Sequence, residues 1–199
     1  MHESICTFPS QTLYASKLKS HPSVASHLLH GLPNAQANSE DDEKELLKTP
    51  IVFFDTSGCE YFERLDGDAD EGSRCNENEA TIVSNWVDKL VCSSRWFSSL
   101  RTSPTCSMAQ IGVGVLPEQI AVLTPYQAQV TLLNSLLRPK HGQALEIGTV
   151  DGMQGREKEA VIISLVRSND KVRLSTFSWN PKSDISQRGK LVSLRTSGE

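Results

Sequence analysis

Apolar and polar positions along the chain fall into alternating short runs and 3.6-residue stripes. Ile51 to Asp55 (IVFFD) is a short apolar run after Pro50 that ends at Thr56-Ser57-Gly58, the pattern of a buried strand closing in a turn. Acids and glycines between about Arg64 and Arg74 predict a solvated loop. Asn76 then reads as a helix cap, with Glu79 three residues on as the reciprocal half of a capping box. Behind it Ile82, Val83, Trp86, Val87, Leu90 and Val91 share one stripe, so this helix should lie on a sheet face. Gln119 to Thr124 predicts a strand, and Tyr126 to Leu137 a helix with Val130, Leu133 and Leu137 on one face. Two further strands are expected at Glu146 to Val150 and Glu159 to Val166. The second carries an unbroken AVIISLV run, as in a parallel sheet covered on both faces. Strands alternating with helices in this way make a mostly parallel α/β layer.

Three stretches break the pattern. Ser93 to Gly114 is Ser/Thr-rich, has no sustained period and carries Pro104, and reads as an irregular insertion. After Asn169 the chain turns polar and basic, with 6 bases against 2 acids from Lys171 onward, the composition of a disordered tail. Such a tail can hold nucleic acid without sequence preference, or it can simply be solvated. The first 32 residues hold amphipathic pieces broken by Pro9 and Pro22, and no internal repeat occurs.

Composition adds bounds. With 38% hydrophobic residues and 12 glycines in 199, the chain can bury a core, which excludes wholesale disorder and a fibrous protein. No apolar run approaches a membrane span, and the start lacks the charged and apolar regions of a signal peptide, so a soluble protein of the nucleus or cytoplasm is expected. Five cysteines, Cys6, Cys59, Cys75, Cys92 and Cys106, contain no Cys-x-x-Cys pair and predict reduced thiols, not a disulfide framework or zinc site. The net charge of −4 averages two unlike regions. Residues 40 to 79 hold 14 of the 24 acids and 4 of the 20 bases, so the rest of the chain is positive and compatible with a polyanionic partner.

The chemistry concentrates in TVDGMQGREKEAVIISLVRSN, Thr149 to Asn169. A strand ends, an acidic glycine turn follows, Gly155 allows close backbone approach, and Arg156, Glu157 and Lys158 project charges before a second buried strand. A loop leaving the carboxyl end of a parallel strand is where open α/β sheets bind ligands. The plain alternative is that Arg156 and Glu157 pair with each other on the surface.

This stretch resembles motif V of superfamily 1 helicases, specifically the Upf-like group of superfamily 1B, and within it the immunoglobulin mu-binding-protein branch. IAVLTPYQAQVTLL (Ile120 to Leu133) is similar to the preceding motif of that group, DTSGCE and NENEA fit the segments before it, and Met1-His2-Glu3 resembles the end of a Q-Y-R-M-H element. The resemblance implies a RecA-like domain of the P-loop NTPase type, a parallel sheet flanked by helices. This would be the second, C-terminal motor domain of an ATP-driven helicase moving 5' to 3' on single-stranded DNA or RNA. The domain would span residues 1 to 169, with the irregular insertion at about 93 to 114 and the tail at 170 to 199. Carried over residue by residue, Gly155 and Arg156 would shape the nucleotide cleft and Glu157 would accept hydrogen bonds from the ATP ribose. Thr124, Pro125, Tyr126 and Thr149 would line the track of the strand, and Gln154 would couple the two surfaces. Tyr126 can equally pack in the core, and Asp151 can simply cap its turn.

The resemblance also implies parts that this sequence does not contain. No G-x-x-x-x-G-K-[ST] loop occurs to cradle phosphates and position Mg2+, and no R-x-N-V-A-x-T-R-A run with its arginine finger follows Asn169. The chain is therefore expected to be a fragment with no catalytic residue of its own, ATP and Mg2+ being held only in the intact enzyme together with the first RecA-like domain. Its insertion reads like translated noncoding sequence, and its tail like a lost reading frame or a splice variant. The alternative function is a non-catalytic product that binds nucleic acid or the helicase's partners, and a second is an unrelated α/β enzyme for a small nucleotide. Cys59 lacks a histidine beside it, His21, His27 and His30 lack a further metal ligand, and the acids of 66 to 71 lack calcium-loop spacing, so none of these carries a site.

Overall fold

The computed structural model describes residues 1–37, 39–56, 59–66, 72–91 and 112–167, and the strand 190–194, with backbone alone at 42, 66 and 190–194. The N-terminal helix α1 (Glu3–Leu13) begins at His2, whose Nδ1 accepts the Ser4 N–H at 3.1 Å, and it continues through Pro9 where the sequence predicted a break. It is held from outside, because Ser10 Oγ donates to the Leu18 carbonyl at 2.6 Å while Ile5 and Cys6 are buried. A short turn, α2 (Glu40–Asp42), widens into a π-helical segment over Glu43–Lys48 that buries Leu46 and Leu47.

Strand β1 (Ile51–Asp55) follows as expected. The loop expected between about Arg64 and Arg74 has paired strands at its two ends, β2 (Arg64–Asp66) and β3 (Ser73–Cys75), antiparallel with Asp66 opposite Ser73, while 67–71 lie outside the described residues. Helix α3 (Glu77–Val91) then buries Val83, Trp86, Val87 and Leu90 and partly buries Ile82 and Val91, the stripe read from the sequence. Of the expected insertion, 93–111 lie outside the described residues. Gly112 to Gly114 belong to the fold, because Val113 and Val115 are buried and donate to the carbonyls of Lys89 and Leu90, both at 2.9 Å.

Strand β4 (Ile120–Thr124) leads into α4 (Gln127–His141), which buries Val130, Leu133 and Leu137 and ends on Gly142 at φ 71°, a conformation that glycine takes at little cost. Strands β5 (Glu146–Thr149) and β6 (Ala160–Ser164) lie on either side of β4 and parallel to it. The sheet order is β1-β7-β6-β4-β5, where β7 (Lys190–Leu194) runs antiparallel to both of its neighbours. This strand departs from the disordered tail expected after 169. The tail's polar composition hid KLVSL, a run with enough β-forming residues to fill the gap between β1 and β6. The remainder of the tail lies outside the described residues.

The result is an α/β layer, with α3 and α4 in contact with each other and their apolar faces joining Ile120, Val122 and Ile162 in one core. Each such fully buried aliphatic side chain contributes about 1.5–3 kcal/mol. Among the described residues no helix is long and apolar enough to cross a membrane.

Candidate functional site

The parallel register brings Thr124 and Thr149 side by side at the carboxyl ends of β4 and β5. They differ in access. Thr124 is fully buried, its hydroxyl accepting the Tyr126 N–H at 3.4 Å, whereas Thr149 is half-buried and accepts the Gly152 N–H at 3.3 Å. Pro125 is exposed and Tyr126, at the start of α4, is half-buried. The shelf offered to solvent is therefore Pro125, Tyr126 and Thr149, with Thr124 beneath it.

The glycine-rich loop starts on this shelf but does not stay there. A connection between parallel strands must return the length of a strand, and here 150–159 carry the chain from the end of β5 to the start of β6. A 3-10 turn at Asp151–Met153 ends at Gln154, which is exposed and donates its N–H to the Asp151 carbonyl at 3.3 Å. Gly155 follows at φ 79°. By Arg156 the chain has reached the first residue of β5, where the guanidinium pairs with Glu146, and Lys158 approaches the other oxygen of that carboxylate at 3.2 Å. The charged tripeptide was expected just before the second buried strand, in a loop that leaves the carboxyl end of the first. In the structure it lies there, at the amino end, and Arg156 is engaged by Glu146 instead of Glu157. Burial works to raise the Glu146 carboxyl, but the hydrogen bonds and charges of Arg156 and Lys158 outweigh it and hold the group below the usual 4.5. Glu157 is exposed and makes no hydrogen bond or ion pair among the described residues.

A second cluster, beside the shelf, was only partly legible. Asn76 caps α3 as expected, its Oδ1 accepting the Glu79 N–H at 3.0 Å. The other half of the capping box is not made. Asn76 N–H goes to Gln129 Oε1 at 2.8 Å, and the Glu79 carboxylate turns to the end of β6. There Oε1 accepts the Ser164 hydroxyl at 3.0 Å and the Leu165 N–H at 2.8 Å, while Oε2 accepts the Val166 N–H at 2.9 Å. Gln129 Nε2 closes the network by donating to Ser164 Oγ at 3.1 Å and to the Asn76 carbonyl at 3.3 Å. All four side chains are buried. Burial pushes the Glu79 carboxyl up, and the Ser164 and amide hydrogen bonds offset part of that rise.

What the network holds is strained. Val166 sits at φ 67°, and the Arg167 N–H donates to the Leu165 carbonyl at 2.7 Å, the i to i+2 bond of a γ-turn. A positive φ at a β-branched residue costs about 1–3 kcal/mol. The turn delivers Arg167 to Glu63, whose oxygens receive Arg167 Nε at 2.9 Å and Arg74 Nη1 at 2.9 Å. Hydrogen bonding to Tyr126, ahead of the Glu63 charge, holds the Arg167 guanidinium more firmly protonated than usual. The sequence carried Asn76 and Glu79 as a local cap and R-S-N as part of a motif, but gave no signal for Glu63.

The histidines disperse: His21 meets Ser23, His27 pairs with Glu159 at 2.9 Å, and His30 with Glu43 at 3.3 Å. Among the described residues no three metal-ligating side chains come together. Cys6, Cys59 and Cys75 are free thiols.

Residues 1–183 match the family model AAA_12, described as an AAA domain. The chain belongs to this AAA domain family. Similar proteins include the DNA polymerase alpha-associated DNA helicase A of Saccharomyces cerevisiae, 37% identical over 86% of this chain and 22% of its own length. DNA-binding protein SMUBP-2 of Mesocricetus auratus is 39% identical over 86% of this chain and 14% of its own length, and Regulator of nonsense transcripts 1 of Dictyostelium discoideum 30% over 85% and 11%. This AAA domain thus spans less than a quarter of each of these relatives. The likeness bears out its place in the Upf-like group of superfamily 1B helicases, and its parallel sheet flanked by helices is the RecA-like fold expected of that group.

Proposed function

We propose that this AAA domain is the second motor domain, residues 1 to 169, of an ATP-dependent helicase that moves 5' to 3' on single-stranded DNA or RNA in the nucleus or cytoplasm. The observation that carries the reading is the shelf of Pro125, Tyr126 and Thr149 at the carboxyl ends of neighbouring parallel strands. A hydroxyl and an aromatic ring side by side suit a phosphodiester backbone with its bases, and they read no sequence.

The nucleotide side is supported by Gly155 and Glu157. No Cβ at Gly155 would meet another atom within 4 Å, and the Glu157 carboxylate has no partner among the described residues, which fits an acceptor for ribose hydroxyls. Arg156, tied to Glu146, shapes the loop's return and leaves Glu157 outward. ATP and Mg2+, bound between this domain and the first RecA-like domain of the same polypeptide, would supply the free energy for movement along the strand. Gln154, between the shelf and Gly155, is the residue that joins the two surfaces.

The test is titration of the purified chain with labelled single-stranded oligonucleotides, dT and rU, at several salt concentrations. Saturable binding that weakens with salt, and weakens further in Tyr126→Ala with Thr149→Ala, supports the reading. Unaltered affinity in the double variant at matched salt removes those residues from the track.

A further inference from the structure

We infer that Glu79 is the positioning residue of the strand-binding shelf: its buried carboxylate clamps the strained turn Leu165–Arg167 and so aims the Arg167 guanidinium at the phosphates of the single strand. The inference rests on the proposed function and adds two residues to it.

Glu79 is 1% exposed and lies on α3, yet both of its oxygens serve the end of β6, through the Leu165 and Val166 amides and the Ser164 hydroxyl. A buried carboxylate is costly to retain for packing alone. Here it satisfies two consecutive amides that the end of the ladder would otherwise leave unpaired, and it does so where Val166 adopts φ 67°. Asn76 Nδ2 grips the same turn from the other side, donating to the Val166 carbonyl at 3.3 Å. A conformation that a valine avoids therefore persists because its amide and its carbonyl are both held by side chains of one helix start. Such strain, held by surrounding structure, marks a position whose geometry matters.

The geometry it sets is that of Arg167. Nε is committed to Glu63, which Arg74 also braces, and the turn leaves the end of β6 beside the end of β4, where Tyr126 begins the shelf. The side chain is still 41% exposed, and a guanidinium has five N–H donors, enough to receive a phosphate without leaving Glu63. Relaxing the turn would swing the backbone at Arg167 and take the cation off the shelf.

The salt dependence of single-strand binding separates this role from a structural one. Each phosphate contact contributes about 0.7 to the slope of log affinity against log salt on single strands. Arg167→Gln should weaken binding of a labelled dT oligonucleotide roughly tenfold and flatten that slope by about 0.7. Glu79→Gln should flatten it by the same amount and have no further effect on it in the Arg167→Gln background. A variant that only lowered the folded fraction would weaken binding with the slope unchanged, and that result for Glu79→Gln overturns the inference. If Glu79→Gln does not fold, Glu79→Asp, too short to reach both amides, takes its place with the same expectation. Fast hydrogen exchange at the Leu165 and Val166 amides of the unaltered chain would also overturn it. Should Tyr126→Ala and Thr149→Ala weaken binding while Arg167→Gln does not, this inference falls and the strand-binding reading stands. Should the unaltered chain bind no oligonucleotide, both fall.

Discussion

Gln129 occupies the place that a capping glutamate would take at Asn76: its carboxamide oxygen accepts the Asn76 N–H at 2.8 Å from a helix 53 positions away in sequence. The start of α3 is thereby tied to α4 and, through Ser164, to β6. Gln129→Ala should leave the Asn76 amide buried without a partner and remove a bond to the Ser164 hydroxyl, destabilising the fold by about 2–4 kcal/mol. Urea unfolding of the two chains measures this, and a loss within 0.5 kcal/mol or so would show that water replaces the carboxamide.

Thr124 and Thr149 separate support from contact. Thr149→Val should reduce single-strand affinity roughly fivefold, the factor that about 1 kcal/mol supports. Thr124→Val, altering a side chain with no exposed surface, should leave affinity unchanged at matched salt. Equal losses in oligonucleotide titrations would mean that the shelf opens to admit Thr124.

Glu157→Ala should have opposite effects on stability and on function. Because the side chain is exposed and unpartnered among the described residues, the melting temperature of this chain should stay within a degree or two. In a helicase carrying both motor domains the same substitution should weaken ATP binding and turnover, and unchanged kinetics would remove Glu157 from the nucleotide cleft.

Glu146 makes the fold sensitive to acid. Its carboxyl is held below 4.5 in the folded chain, so the unfolded chain binds the proton more readily. The stabilisation is complete above the unfolded value near 4.5 and is lost as the pH falls through the lower folded value. Glu146→Gln should therefore lower the melting temperature at pH 7, and the gap to the unaltered chain should close as the pH is taken below about 4.5. A gap constant down to pH 3 would mean that Arg156 and Lys158 do not hold this group.

Where one segment decides its own structure, the sequence was readable. The strand at 51–55, the stripe on α3, the face of α4 and the three parallel strands follow from local period, and the structure has each within a few residues. The place of the charged tripeptide just before β6 was legible, but the pairing of Arg156 with Glu146 was not, because local pattern says nothing of which residue of another strand lies beside a connection. Glu79 was read as a partner for its own helix because capping boxes are local, whereas burial gave it a non-local partner in the end of β6. Glu63 was invisible, since a carboxylate gains its meaning from two arginines, Arg74 and Arg167, that only the fold assembles.

Ser73 pairs with Asp66 across the β2–β3 ladder, and its hydroxyl also accepts the Ala128 N–H at 2.9 Å, supplying the start of α4 with the cap that Tyr126 does not. One residue thus fastens both the ladder and the helix that begins beside the shelf. The two attachments differ in kind, the ladder through the main chain of Ser73 and the helix through its hydroxyl. A segment spliced into the chain at Ser73 itself would therefore unfasten the hairpin and the first turn of α4 together.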